Sequence, residues 1–221
     1  MICLISVIGL STAVPAADAK LELRIDRARH IFEKFQLDST IGEPTALMRR
    51  AKCLAIFPNL IRVAFVLGGR HGIGVVSCRN LEGKWSPPAF ARLSEGSFGI
   101  QVGYQSSEVV FFFVTDGSAK SLLTAKLSMG ADVSIAAGPL EKNAGVTTDP
   151  EWAADVYIYS KSKGVFAGAA FQGSRLAISH ELLRRYYERQ IWIEEVLLAH
   201  RVPILPPKAK EFMEALQLAT D

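Results

Sequence analysis

A chain of 221 residues, 49% hydrophobic and 21% charged, is long enough to bury one sizeable core, with room for at most a small appendage. That apolar content excludes disorder as the main state. The longest strictly apolar run in the body, Val109-Val110-Phe111-Phe112-Phe113-Val114, is about a third of a bilayer span and so excludes a polytopic helical membrane protein. A formal charge of +3 and a pI near 8.8 fall well short of a dedicated nucleic-acid binder.

Residues 1–10 (MICLISVIGL) are apolar but too short to span, and Ala17-Asp18-Ala19 places small residues where a signal peptidase reads. No Lys or Arg precedes the apolar run, yet the small-residue ending favours a signal peptide, 1–19, cleaved before Lys20. No Cys follows the run, so a lipoprotein anchor is not indicated. The expectation is an exported chain, periplasmic or envelope-associated, with residues 20–221 forming one domain. Of the remaining cysteines, Cys53 and Cys78 could form one disulfide in an oxidising compartment. Both sit in apolar stretches, where a free Cys behaves as a small hydrophobe, and this favours two buried thiols.

Fifteen of the 17 glycines fall between Gly68 and Gly173, dividing the domain into a helical flank 20–56, a β-rich core 57–178 and a helical flank 179–221. In the first flank Leu21, Ile25, Ala28, Phe32 and Phe35 recur at spacings of four and three, with Arg24, Arg27, Arg29 and Lys34 on the remaining face. A second helix opens at Pro44, carries Leu47, Met48 and Ala51, and must stop before Phe57-Pro58. Segments 61–67, 73–78, 98–104, 109–115, 133–137, 156–160 and 165–171 are short runs rich in Val, Ile, Phe and Tyr. They are bounded by turn signals at Gly68-Gly69, 80–83, Ser106-Ser107 and 161–164. Short strands with tight turns predict an α+β fold whose core is an antiparallel meander or barrel-like sheet, with helices packed at both flanks. One helix is inserted after Asp116-Gly117-Ser118, carrying Leu122, Leu123 and Leu127 and ending near Gly130. Ser179 is the expected N-cap of a segment with Leu182, Leu183, Tyr186 and Tyr187. Pro206-Pro207 opens a last helix with Ala209, Phe212, Met213 and Leu216 on one face.

Catalytic signatures are missing. Gly68-Gly69-Arg70-His71-Gly72-Ile73-Gly74 matches neither the dinucleotide fingerprint nor the P-loop, and a Gly-rich hairpin explains it better. His30, His71, His180 and His200 are scattered, with no metal-ligand spacing, and no nucleophile elbow occurs. The sequence therefore names no catalytic residue, metal or cofactor and reads as a non-enzyme. Carboxylates that meet only in space leave a hydrolase with a dispersed site as a further alternative.

Two basic sets suit binding. Arg24, Arg27 and Arg29 flank the apolar stripe of the first helix, an arrangement that lies on anionic membranes, though the same stripe can simply pack on the β body. Arg62, Arg70, Lys161 and Lys163 stand at strand ends or turns and form an anion site for lipid headgroups if they converge.

The order of motifs through the chain resembles the SYLF-domain family of lipid-binding proteins, in its exported bacterial form. The matching stretches run from Ala51-Lys52 through Phe57-Pro58, then Gly68 to Gly74, Trp85-Ser86-Pro87-Pro88 and Ser97-Phe98-Gly99-Ile100-Gln101-Val102-Gly103. After Leu127-Ser128-Met129-Gly130 come Asp132-Val133-Ser134-Ile135-Ala136-Ala137-Gly138-Pro139, residues 157–168 (YIYSKSKGVFAG) and the Tyr186-Tyr187 pair. The resemblance implies a β-rich domain with packed helices and no established enzymatic activity. Eukaryotic members bind phosphoinositides and, in some cases, actin filaments, whereas exported bacterial members are presumed to bind lipid. The export signal argues against actin as a partner here. Two positions depart from the pattern: Leu140-Glu141 puts an acid where a basic residue is usual, and Glu188 replaces a glycine after the Tyr pair, which would extend that helix. The expected partner is anionic phospholipid or a membrane surface, with no nucleic acid. An envelope scaffold that binds protein is the alternative.

Overall fold

The computed structural model describes residues 18–37, 44–64, 67–98, 103–123, 126–137, 153–161 and 171–220. Eight strands carry the fold: β1 (Cys53–Ala64), β2 (Leu67–Cys78), β3 (Ala89–Phe98), β4 (Gly103–Phe113), β5 (Leu127–Ser128), β6 (Ile135–Ala137), β7 (Val156–Lys161) and β8 (Arg175–Ile178). They join in one sheet in the order β5-β8-β3-β2-β1-β4-β7-β6, curled into a half-barrel. Every pairing is antiparallel except β6 with β7. Six helices accompany it among the described residues: α1 (Ala19–Leu37), α2 (Pro44–Arg50), α3 (Asp116–Leu123), α4 (His180–Tyr187), α5 (Ile193–Leu197) and α6 (Pro207–Leu218). This is the α+β, antiparallel-core architecture that the alternating Gly-punctuated runs predict.

Side-chain alternation along β4 explains why Phe111-Phe112-Phe113 shows no polar break. Successive residues point to opposite faces, and both faces are covered. Phe112 meets Phe35 of α1 and Tyr159 of β7 at ring-centroid distances of 5.1 and 5.8 Å. Phe111 meets Phe57 and Phe171 on the other face, at 5.5 and 5.3 Å. α1 buries Leu21, Ile25, Ala28, Ile31, Phe32 and Phe35 against β1, β2 and α6. Asp18 accepts from the Lys20 backbone N–H through its side chain at 3.0 Å and pairs with Arg185, so it caps α1 and ties it to α4. A cut before Lys20 would remove that cap.

Several boundaries differ from the sequence-based expectations, each for a local reason. β1 begins at Cys53, ahead of the expected core edge at residue 57, and runs through Pro58 instead of being preceded there by helix. The register with β2 shifts between Ile56 and Ile61, and with β4 between Phe57 and Leu60. Such a bulge accommodates the missing N–H of Pro58. Gly68-Gly69 lies inside β2, not at a turn. The glycines of β2 answer to packing: a Cβ on Gly74 would fall 2.8 Å from the Phe57 ring and from the Ile56 carbonyl, and one on Gly72 would fall 2.8 Å from Leu60 Cδ1. Ser106-Ser107 likewise lies within β4. α3 stops at Leu123, and Leu127 pairs with Leu176 of β8 as part of β5. The expected strand at 165–171 falls outside the described residues apart from Phe171.

The free-thiol expectation is overturned. Cys53 and Cys78 sit directly opposite each other in the β1–β2 register, Cα atoms 4.0 Å apart, and are bonded as a disulfide. Apolar surroundings misled because a position on these packed central strands is buried whether or not its sulfur is bridged.

α4 follows the expected start, with the Ser179 hydroxyl accepting from the Leu182 N–H at 3.4 Å. Its end does not follow, because Glu188 does not extend the helix. It terminates it in the left-handed region at φ 50°, a conformation that a glycine adopts without the Cβ penalty. Glu188→Gly is therefore expected to stabilise the fold by about 1 kcal/mol. The check is a higher denaturant midpoint at unchanged slope.

Candidate functional site

Of the basic residues singled out from the sequence, Arg24, Arg27 and Arg29 lie on α1, and Arg62 and Arg70 stand side by side on the sheet. α1 spends its apolar stripe inside the fold, and its outer face is polar apart from the exposed Leu23 and Leu37. Arg24 folds back onto the sheet, its Nη1 donating to the Ile73 carbonyl at 2.8 Å, and burial pushes its pKa down, with Arg27 adding to the effect. Arg29 is held by Asp26 at 3.1 Å and Glu33 at 2.5 Å, with Glu211 of α6 at 3.7 Å. Arg27 is the exposed member of the three.

Arg62 and Arg70 are register partners on β1 and β2, and Glu95 stands opposite Arg70 on β3. Arg70 is buried, paired with Glu95 at 3.1 Å and stacked 4.4 Å from the Phe171 ring centroid. Burial pushes the Arg70 guanidinium down and the Glu95 carboxyl up, while each partner pulls the other back towards its charged form. The pair neutralises itself inside the fold. Lys161 ends β7, opposite Glu108 of β4, and its side chain lies outside the described residues, as does the whole of Lys163.

Cations do converge at the other end of the β1–β2 pair, beside the disulfide. A cleft of about 780 Å³ opens there, lined by Arg49, Arg50, Lys52, Arg79 and Lys120, with Asp116 as its one carboxylate among the described residues. The chain builds it from three elements. α2 ends at Arg49-Arg50 and passes through Ala51-Lys52 straight into β1. Arg79 follows Cys78 at the end of β2. α3 brings Asp116 and Lys120. Hydrogen bonds from the Lys52 N–H to the Phe113 carbonyl and from the Arg79 N–H to the Lys52 carbonyl, both 2.7 Å, extend the ladder one step past the disulfide and fix the two cations as neighbours.

Arg79 also organises the rim. Its Nη1 donates to the Arg49 carbonyl at 3.1 Å and its Nε to the Gly83 carbonyl at 3.2 Å, while its guanidinium lies 5.6 Å from the Trp85 ring centroid. It thereby satisfies an orphan carbonyl at the end of α2. Lys52 pairs with Asp116 at 3.4 Å in solvent, an interaction worth about 1 kcal/mol at most. Arg49 and Lys120 have no carboxylate partner among the described residues. Below these side chains the floor is apolar: the disulfide, Ala51, Ala119 and Leu123. A cleft with cationic walls and an apolar floor is suited to holding an anion.

None of these five cations was among the sequence candidates. The signal was present in Lys52 and Arg79, each adjacent to a half-cystine. Once Cys53 and Cys78 are known to bridge, their basic neighbours must share a site. Lys120 comes from an element with no sequence link to the others.

The chain matches a family profile, Ysc84, described as Las17-binding protein actin regulator, over residues 94–219. It is 32% identical over 169 residues to LAS seventeen-binding protein 3 of Saccharomyces cerevisiae, covering 75% of this chain and 36% of that protein. Protein YSC84 of the same yeast is 30% identical over 177 residues, covering 79% and 37%. Human SH3 domain-containing YSC84-like protein 1 is 29% identical over 179 residues, covering 80% and 52%. The chain thus spans between a third and about half of the length of the curated relatives it matches. These names describe binding proteins and not enzymes. With more than half its length matched by the family profile, and with the motif order and the half-barrel already described, this chain belongs to the Ysc84 family, the family of SYLF domains.

Proposed function

We propose that this chain is a non-catalytic membrane-binding domain that holds an anionic lipid headgroup in the cleft beside Cys53–Cys78. One observation carries the reading: among the described residues five cations and one carboxylate line a concavity with an apolar floor, of the size that takes small ligands. Each basic side chain near an anionic surface contributes about 1 kcal/mol of attraction, so the cluster supplies a useful affinity with no induced change of shape. No helix among the described residues is long and apolar enough to cross a membrane. Export to the envelope fits the same reading, because the Cys53–Cys78 bridge suits an oxidising compartment.

Vesicle flotation tests it. The chain is expected to float with phosphatidylglycerol-containing vesicles at low salt, to float far less with neutral phosphatidylcholine vesicles, and to be released as salt screens the cleft. Equal recovery from both vesicle types would refute headgroup recognition.

A second reading is favoured by the relatives, whose names and family description speak of Las17 binding and actin regulation. The sequence argument against actin finds no support in them. Co-sedimentation with actin filaments, together with indifference to vesicles, would select that reading.

A further inference from the structure

We propose that the turn at the rim of this cleft is a membrane-insertion tip, with Leu81 its inserted side chain and Leu198 a second contact. The proposal rests on the headgroup reading and specifies how the bilayer is engaged. Leu81 is fully exposed and Leu198 half-exposed, yet both line the same cleft as the cations.

The turn that carries Leu81 is tied together by hydrogen bonds. Asn80 Oδ1 accepts from the Glu82 N–H at 3.0 Å and the Lys84 N–H at 2.9 Å, the Asn80 N–H donates to the Lys84 carbonyl at 3.0 Å, and Gly83 supplies φ +80°. Arg79 then ties Gly83 to the end of α2. A leucine on such a frame cannot fold back to bury itself, so its apolar surface stays in water until a partner covers it. Its acidic neighbour is compensated, with Glu82 3.4 Å from Lys84.

The chemistry of the lining selects the partner. Cations and the exposed leucines line one concavity. A bilayer meets both, because headgroup phosphates can be held by the cations while Leu81 and Leu198 reach past them into the acyl boundary. Apolar burial is not screened by salt, so insertion adds a salt-resistant component to the electrostatic one.

The experiment is flotation of the whole chain on phosphatidylglycerol vesicles across a salt series, comparing the parent with Leu81→Ser and Leu198→Ser. Both residues are exposed enough that folding is retained, checked by an unchanged melting midpoint. Leu81→Ser is expected to keep its salt-sensitive binding, to lose the residual binding at high salt, and to partition about tenfold more weakly; Leu198→Ser should show the same in lesser degree. Leu81→Trp is expected to be quenched by bromine-labelled acyl chains beyond the quenching of the parent's own tryptophans.

Unchanged flotation of Leu81→Ser at every salt, with no added quenching of Leu81→Trp, would overturn insertion and leave headgroup binding intact. A parent chain that ignores anionic vesicles would overturn both. If that parent instead sediments with actin filaments and Leu81→Ser abolishes it, the turn is a protein contact.

Discussion

Arg49→Glu combined with Lys120→Glu is expected to lower partitioning onto anionic vesicles at low salt by two to three orders of magnitude. Each reversal removes one positive charge and adds one negative charge at the mouth of the cleft. At about 1 kcal/mol per charge near an anionic surface, four units amount to about 4 kcal/mol, reduced somewhat by screening. These two residues are the right choice because they have no carboxylate partner among the described residues, so reversing them breaks no ion pair. Arg79 is a poor choice, since removing it would release the rim turn from α2. The control is Arg27→Glu, the exposed member of the α1 set. It tests the first helix without disturbing Arg24, which is bonded to the sheet, or Arg29, which is held between two acids. If Arg27→Glu abolishes binding and the double reversal does not, the contact lies on α1 and the cleft is not the site. The stability of both variants is expected to stay within about 0.5 kcal/mol of the parent, as for surface changes remote from packed features.

What the sequence conveyed follows from where each signal is stored. Periodicity lies in the chain itself, so the stripe of α1, the Ser179 cap and the proline start of α6 could be read directly. Glycine was ambiguous because one residue type serves two purposes: a positive φ, as at Gly83, and room for a neighbour, as at Gly74 against Phe57. Only the second applies in β2, and nothing local distinguishes it. β3 escaped notice because Arg92, Ser94 and Glu95 interrupt its apolar pattern, although two of its sides are paired, with β2 and β8. The site was harder still. Arg24, Arg29 and Arg70 looked like free charge, but acids on the same or adjacent elements and carbonyls of the sheet engage all three. The cations of the cleft come from α2, one end of the β1–β2 pair and α3. Their meeting depends on a register that becomes visible only when Cys53 is placed opposite Cys78.

Replacing both half-cystines, Cys53→Ala with Cys78→Ala, is expected to cost about 3 kcal/mol of stability, the loop entropy restored to an unfolded chain whose bridged residues are 25 positions apart. For a domain of this size that is a fall in melting midpoint of roughly 10 °C. Alanine is preferable to serine, because a hydroxyl at either buried position would need a partner. A reductant should lower the parent's midpoint by a similar amount and leave the double variant unmoved. A parent whose midpoint is indifferent to reductant would show that the bridge contributes nothing. Lipid binding is expected to respond differently. Lys52 and Arg79 are also joined by their own backbone hydrogen bond, and Arg79 holds the rim through α2 and Gly83, so the cleft keeps its shape without the sulfur bond. Below its lowered melting midpoint the variant should therefore partition onto anionic vesicles within about threefold of the parent, less than half a decade in an equilibrium constant. A larger loss would mean that the disulfide positions the cations as well as stabilising the sheet. The combination of a large thermal effect with a small effect on binding is what distinguishes a bridge that secures the fold from one that operates the site.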